Sequence, residues 1–216
     1  MYDIKWGFCA DLATGAVNGE LYSFYALIAS LMMVLPIIIG TAIATPLLKA
    51  FGSSIRLERF CLLLEAIACG MLFVFQMFGL LQAIPALFFI CVAVASTAIG
   101  ICFIPQEVIN MEAMDYDRWK NEKNRFALCN AANKFLAKAQ TALSSAMVGV
   151  ILIAIGYEVD SVTDTYVGDL SAIPAMLDWF IVVMGLVPCI LGLISWYILK
   201  KYPVTDEVRA DMKADR

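Results

Sequence analysis

Long apolar runs, separated by short polar segments, dominate the hydropathy pattern of the chain. A helix that crosses about 30 Å of hydrocarbon needs about 20 mostly apolar residues. Five runs reach this length, and they cover residues 21–48, 60–81, 86–104 (with a polar extension to Met114), 127–155 and 173–199. Prolines inside such runs are tolerated, because neighbouring helices can satisfy the freed carbonyl groups. The pattern predicts an all-α membrane protein.

Residues 1–20 are too polar to cross a membrane, because charged residues interrupt them. They also lack the apolar core of a secretory signal peptide. Their pattern is typical of the end of a helix followed by a short loop. We therefore expect the chain to begin inside a larger architecture, with Met1 either a true start or a fragment boundary. The predicted domains are a transmembrane half-domain over residues 1–202 and a cytoplasmic tail over residues 203–216.

Charge alternates along the polar segments and predicts the orientation of the chain. Basic residues follow the first, third and fifth runs: Lys49, Arg56 and Arg59; Arg118, Lys120, Lys123 and Arg125; Lys200, Lys201, Arg209, Lys213 and Arg216. The segments after the second and fourth runs have no basic residue, and the latter carries Glu158, Asp160, Asp164 and Asp169. Since cytoplasmic loops are enriched in Lys and Arg, we expect a multi-pass protein of the inner or plasma membrane with a cytoplasmic C-terminus.

Composition excludes several function classes. The chain is 62% hydrophobic and 16% charged, whereas soluble domains are about 45–50% apolar and about 25% charged. It has no histidine, which is the commonest general base and metal ligand. The seven cysteines form no C-x-x-C pair, and we interpret them as packing residues. We therefore predict no catalytic residue, no metal site, no enzyme activity and no nucleic-acid partner.

The fourth apolar run carries a polar stripe at three- and four-residue spacing, which places its members on one helix face. The stripe consists of Asn130, Asn133, Lys134, Ala137, Lys138, Thr141, Ser144 and Ser145. In a carrier such a face lines a central cavity, because ionisable groups next to hydrocarbon are costly. The alternative for Lys134 is that its long stem carries the ammonium to the membrane surface. Lys138 lies one turn deeper, about 6 Å further along the helix.

The polar segment before this run resembles a known transporter family. The segment begins with the sequence FIPQEVINMEAMDYDRWK. Lys138 follows Trp119 by 19 residues, and Tyr157 of the Gly156-Tyr157 pair follows Lys138 by another 19 residues. These motifs, with the earlier ATPLLKAFGSSIRLE, resemble the glycoside–pentoside–hexuronide:cation symporters. That family is a branch of the major facilitator superfamily and includes the melibiose carrier. The chain departs from the family pattern at Phe126 and Ala127, where many members have Glu and Gly.

The resemblance implies a fold and a function. The fold is the C-terminal half of a major facilitator transporter, with about five transmembrane helices plus the tail of a sixth. The function is secondary active transport of a sugar or glycoside, by symport with Na⁺ or H⁺ and alternating access. The coupling cation is bound mainly by an N-terminal six-helix half that this sequence lacks, and no other cofactor is implied. The alternative is a non-transporting membrane subunit or truncated transporter. Substrate, coupling ion and oligomeric state stay open.

The resemblance also implies site residues, each with a structural alternative. The substrate-binding set is Lys138, Asn133, Phe103, Gln106 and Lys134, where Phe103 could equally be a packing residue and Gln106 a polar helix end. A charged loop is expected to gate the cytoplasmic side through ion pairs, and its alternative is a solvated surface. Its members are Glu112, Asp115, Tyr116, Arg118, Lys123 and Arg125. We further expect Glu65 to reach the cytoplasmic interface near Arg59.

Overall fold

The computed structural model describes residues 2–11, 17–121, 126–155, 168, 170–204 and 206–214. Its helices in chain order are α1 (Tyr2–Phe8), α2 (Gly19–Phe51), α3 (Ser54–Met77), α4 (Leu80–Ala83), α5 (Pro85–Asn121), α6 (Phe126–Ile155), α7 (Ile173–Ile181), α8 (Val187–Leu199) and α9 (Asp206–Ala214). A 3₁₀ turn (Leu170–Ala172) precedes α7, and a π-helical segment (Val182–Leu186) joins α7 to α8. The described residues contain no named strand, only an isolated bridge between Ala10 and Val17.

The prediction of an all-α membrane fold is confirmed. Five helical stretches are long and apolar enough to cross a membrane: α2, α3, α5, α6 and the continuous stretch from α7 to α8. Asn18 starts α2 by accepting a hydrogen bond from the Leu21 N–H at 3.1 Å, and Gly52 ends it in the left-handed region that favours glycine.

Two helices have bounds that differ from those of the predicted apolar spans. The second span was expected over residues 60–81, but its helix runs from Ser54 to Met77. It ends there because Phe78 and Gly79 form a turn, and Gly79 has a positive φ that a helix cannot continue through. The third helix continues to Asn121 instead of ending near Met114.

The central packing contact is the crossing of α2 and α5, which approach each other through two glycines. A Cβ atom at Gly40 would collide with the Thr97 carbonyl oxygen, and one at Gly100 would collide with the Ile37 carbonyl oxygen. Thr41 adds a hydrogen bond across the crossing, donating from Oγ1 to the Gly100 carbonyl at 3.1 Å. Small residues allow such close contact in membrane proteins, so both glycines are packing residues of this crossing.

The α7–α8 stretch packs on α3, also through small residues. A Cβ at Gly185 would lie 2.9 Å from the Cys69 carbonyl oxygen, and one at Gly192 would lie 3.2 Å from the Ala66 Cβ. Gly185 belongs to the π-helical segment, which lies just before Pro188. Together α2, α3, α5 and the α7–α8 stretch form the packed body of the protein.

Helix α6 stands apart from this body. In the most apolar 18-residue segment of α6, no residue is buried. In the corresponding segment of α5, 44% of the residues are buried. Its main packing partner is α7, where Leu152 lies against the buried cluster around Trp6 and Met176. Most of the rest of α6 is exposed, and this includes both its polar stripe and large apolar side chains such as Phe135 and Leu143.

Candidate functional site

The predicted polar stripe lies on an exposed helix surface. Asn133, Lys134 and Lys138 are all exposed on α6, as are Thr141 and Ser145. The hydroxyls of Thr141 and Ser145 donate to the carbonyls of Ala137 and Thr141, at 3.0 and 3.1 Å. These bonds satisfy the hydroxyls within the helix. Neither lysine makes an ion pair with another described residue, so both ammonium groups are available to a ligand or to another protein segment.

The two predicted substrate residues on α5 are also exposed. The Phe103 side chain keeps 49% of its surface accessible, and Gln106 is exposed beside the buried Pro105. Helices α5 and α6 share no extensive packing interface in the described part of the chain. The fold therefore leaves the two groups of candidate residues on separate helices and does not join them into one closed pocket.

The predicted gating loop is largely helical, which corrects the sequence interpretation. Glu112, Asp115, Tyr116 and Arg118 all lie within α5. Short-range contacts extend the helix: Lys120 Nζ donates to the Tyr116 hydroxyl at 3.2 Å, and Asn121 Nδ2 donates to Asp117 Oδ1 at 2.6 Å. Pairs four residues apart stabilise a helix, so this polar segment continues the apolar one. Lys123 and Arg125 lie outside the described residues, as do Gly156 and Tyr157 of the family motif.

Glu112 pairs with the C-terminal helix. Its Oε2 accepts a hydrogen bond from Arg209 Nη2 at 2.9 Å, and both side chains are only about a quarter exposed, at 22% and 24%. Two residues before α9, Val204 is 2% exposed. We call the interactions of Tyr202 and Arg209 with α5, together with the buried Val204, the tail contact.

Tyr202 completes the tail contact. Its hydroxyl donates to the Ile109 carbonyl at 3.2 Å, one turn before Glu112. Burial raises the pKa of the Tyr202 hydroxyl, and the negative charge of Glu112 raises it further, while Arg209 acts in the opposite direction. The hydroxyl therefore stays protonated at physiological pH and remains a donor to the Ile109 carbonyl. An anchor of this kind holds the segment after α8 against the end of α5.

Replacing Arg209 with alanine should loosen α9 without unfolding the transmembrane body. A partly exposed ion pair contributes about 1 kcal/mol or less, which corresponds to at most about a fivefold change in an opening equilibrium. We expect amide hydrogen exchange across Asp206–Ala214 to accelerate by up to that factor, with α3 unchanged. Hydrogen exchange followed by mass spectrometry in detergent measures this directly.

The matched control is Asp211→Ala, because Asp211 is exposed on the same helix. Glu112→Gln should accelerate exchange as much as Arg209→Ala does, and the double variant should add little, since both remove the same pair. Additive effects of the two substitutions would show that Glu112 and Arg209 act separately.

The prediction that Glu65 approaches Arg59 is wrong. The Arg59 guanidinium lies over the Trp196 ring, 4.9 Å from its centroid. Glu65 lies 11 residues from the start of α3, about 16 Å along the helix. There it lines a cavity of about 200 Å³ between α2, α3, α5 and the α7–α8 stretch. Position along the helix explains the error, because a glutamate near the middle of a span is too short to reach the surface.

Sequence reasoning missed the residues of the tail contact and the cavity. Arg209 lies in a short, strongly amphipathic segment, and that pattern could have indicated a helix that docks on the body. The cavity leaves no signal in the sequence, because the helices that form it are far apart along the chain. Among the described residues, no group of three or more His, Cys, Asp or Glu side chains could hold a metal ion.

Comparison with known proteins indicates the family. No curated protein and no solved structure matches the chain. A family model described as "MFS/sugar transport protein" matches residues 17–206, which include all five membrane-spanning stretches and the tail contact up to the start of α9. The match covers most of the chain, and the chain therefore belongs to the MFS/sugar transport protein family.

Proposed function

We propose that the chain forms the C-terminal half of a secondary transporter that moves a sugar or glycoside by symport with Na⁺ or H⁺. The observation that carries the proposal is the exposed polar face of α6 in a chain of this family. A lipid-facing helix would carry apolar side chains at these positions, because a lysine or asparagine at the centre of a helix in hydrocarbon costs free energy. A water-filled path closed by a second six-helix half removes that cost.

In the proposed mechanism, α6 lines one wall of the transport path. The Asn133 amide can both donate to and accept from sugar hydroxyls, and the Lys138 ammonium can donate to them or neutralise a carboxylate of the other half. Phe103 offers an aromatic face to the sugar's C–H surface, and Gln106 a second amide. Substrate sites of such carriers lie near the bilayer midplane, between repeats that rock against each other. The coupling cation binds mainly to carboxylates of the N-terminal half.

The proposed orientation places the basic end of the molecule and the tail contact in the cytoplasm of the inner or plasma membrane. The charged residues of α5 between Glu112 and Arg118 then face the cytoplasmic opening, where their contacts would change as the halves move. Exposed ion pairs contribute only about 0–1 kcal/mol each, so such contacts can break and form in each transport cycle. Lys123 and Arg125 belong to the same proposed gate.

Uptake measurements test the proposal. The DNA upstream of Met1 should be read first, and the chain expressed with any in-frame six-helix half found there. We expect uptake of at least one labelled glycoside, pentose or hexuronide by cells that lack their own carriers. Uptake should rise with an imposed Na⁺ or H⁺ gradient. A chain that binds no sugar, and has no in-frame partner half, would instead be a non-transporting subunit or truncated transporter.

A further inference from the structure

The cavity beside α3 contains an ionisable group that the transport path does not use. Its lining includes Glu65 and Ser96, and most of its other side chains are apolar or contain sulfur. The cavity lies between α2, α3, α5 and α8, whereas the polar stripe lies on α6, which stands apart from them. The Glu65 carboxylate is therefore a separate feature of the packed body.

No cation faces this carboxylate among the residues that the structure describes. Glu65 makes no ion pair there, and the nearest guanidinium on its own helix, that of Arg59, lies over Trp196. The titratable groups around it are all acids or thiols. They are Glu58, Cys61 and Cys69 on α3, Cys91 and Cys102 on α5, and Cys189 on α8. Helix α2 contributes Met33 to the lining and no titratable group.

Glu58 makes a negative charge at Glu65 less favourable still. It lies two turns before Glu65 on the same face of α3. Its side chain is 7% exposed, and its Oε2 has no hydrogen-bond partner in the described part of the chain. Because Glu58 is buried and Glu65 is partly buried, negative charges on both would repel each other in a low dielectric.

We propose that Glu65 is a proton-binding site inside the helical body, protonated at neutral pH and exchanging its proton through the cavity. Glu65 is partly buried in an apolar pocket that is itself partly open. An ionised carboxylate without a cation partner is costly in such surroundings, and the group neutralises instead. A cavity that holds one water needs only about 10–15 Å³, so about 200 Å³ leaves ample room for water that carries the proton in or out.

The cavity fits a proton better than a metal cation. Hard cations in proteins take about six or more oxygen ligands. The lining side chains offer only the Glu65 carboxylate and the Ser96 hydroxyl as oxygen donors, beside Cys69, Cys91 and methionine sulfurs. A proton needs only one carboxylate oxygen.

Infrared spectroscopy of the purified full chain in lipid nanodiscs tests the inference. We expect the carbonyl stretch of a protonated carboxylic acid at pH 7, shifted by transfer to D₂O. Because Glu58 is buried and could contribute its own band, the comparison is made in the Glu58→Gln variant. The Glu65 band should persist there, a further Glu65→Gln replacement should remove it, and Glu107→Gln, at an exposed position of α5, should leave it unchanged.

Three results would overturn the inference: no carboxylic acid band in the wild-type chain at pH 7, no loss of band when Glu65→Gln is added to Glu58→Gln, or a band that Na⁺ removes at constant pH. The wild-type measurement needs no variant to fold, and circular dichroism verifies the helical content of each variant. Proton binding at Glu65 goes beyond the proposed transport function and does not require it. The infrared spectra can therefore contradict proton binding at Glu65 while uptake measurements support transport, or the reverse.

Discussion

Sugar uptake by the complete carrier is expected to disappear when Lys138 is replaced by alanine, and to fall only partly when Lys134 is replaced. Lys138 lies one turn, about 6 Å, further from the start of α6. In the proposed transport path, its ammonium contacts substrate hydroxyls or a carboxylate of the other half. Losing one partner of a buried charged pair costs about 3–5 kcal/mol, which is more than a hundredfold in rate or affinity. Lys134 can reach the aqueous interface, so its loss matters less.

Initial rates of labelled sugar uptake, normalised to the amount of carrier in the membrane, measure the difference. Lys49→Ala is the matched control, since it removes an exposed lysine near the end of α2, far from α6 along the chain. It should leave uptake near the wild-type rate. Equal, near-normal uptake in Lys138→Ala and Lys134→Ala would reject the assignment of the polar face to the substrate path.

A single methyl group at Gly100 should destabilise the whole packed body. In Gly100→Ala the new Cβ would overlap the Ile37 carbonyl oxygen and lie 2.8 Å from the Ile37 Cα. Both are main-chain atoms, so no flexible side chain can move aside. Overpacking of this kind costs about 1–3 kcal/mol, and occasionally more. We expect the upper end, because α2 and α5 must separate and the Thr41 hydrogen bond to the Gly100 carbonyl must stretch.

Unfolding by a denaturing detergent, followed by circular dichroism, measures the loss. Gly149→Ala is a close control, because Gly149 lies in α6 and nothing lies within 4 Å of the position its Cβ would take. Alanine favours a helix over glycine by about 1 kcal/mol, so this control should be neutral or slightly stabilising. If the two variants were equally stable, the proposed crossing of α2 and α5 would not occur in the membrane.

Much of the fold could be predicted from local patterns in the sequence. Apolar length alone located the five membrane-spanning stretches, because the cost of exposing polar groups to hydrocarbon acts on every residue of a span. Helix bounds differ from the predicted spans where apolar content does not decide the structure. The turn at Gly79 depends on a backbone conformation, and the extension of α5 to Asn121 depends on short-range polar contacts.

The candidate site could be predicted less completely. The polar face of α6 followed from helical spacing, and the structure places those residues on an exposed surface. The Glu112–Arg209 pair joins residues 97 positions apart, and the cavity around Glu65 joins four helical segments. Spacing within one helix cannot indicate such contacts, because they depend on how distant segments cross.

The π-helical segment Val182–Leu186 fixes the rotational register of the stretch that contains it. Each α-helical residue turns the side-chain direction by about 100°, and a π turn adds one residue to the winding. The inserted residue lets Phe180 before it lie in the core and Gly192 after it meet Ala66. Regular α-helical winding over the same residues would rotate α8 by about a quarter turn, so that Gly192 would no longer lie against Ala66. The π-helical segment therefore sets the rotation of the α8 side chains relative to those of α7.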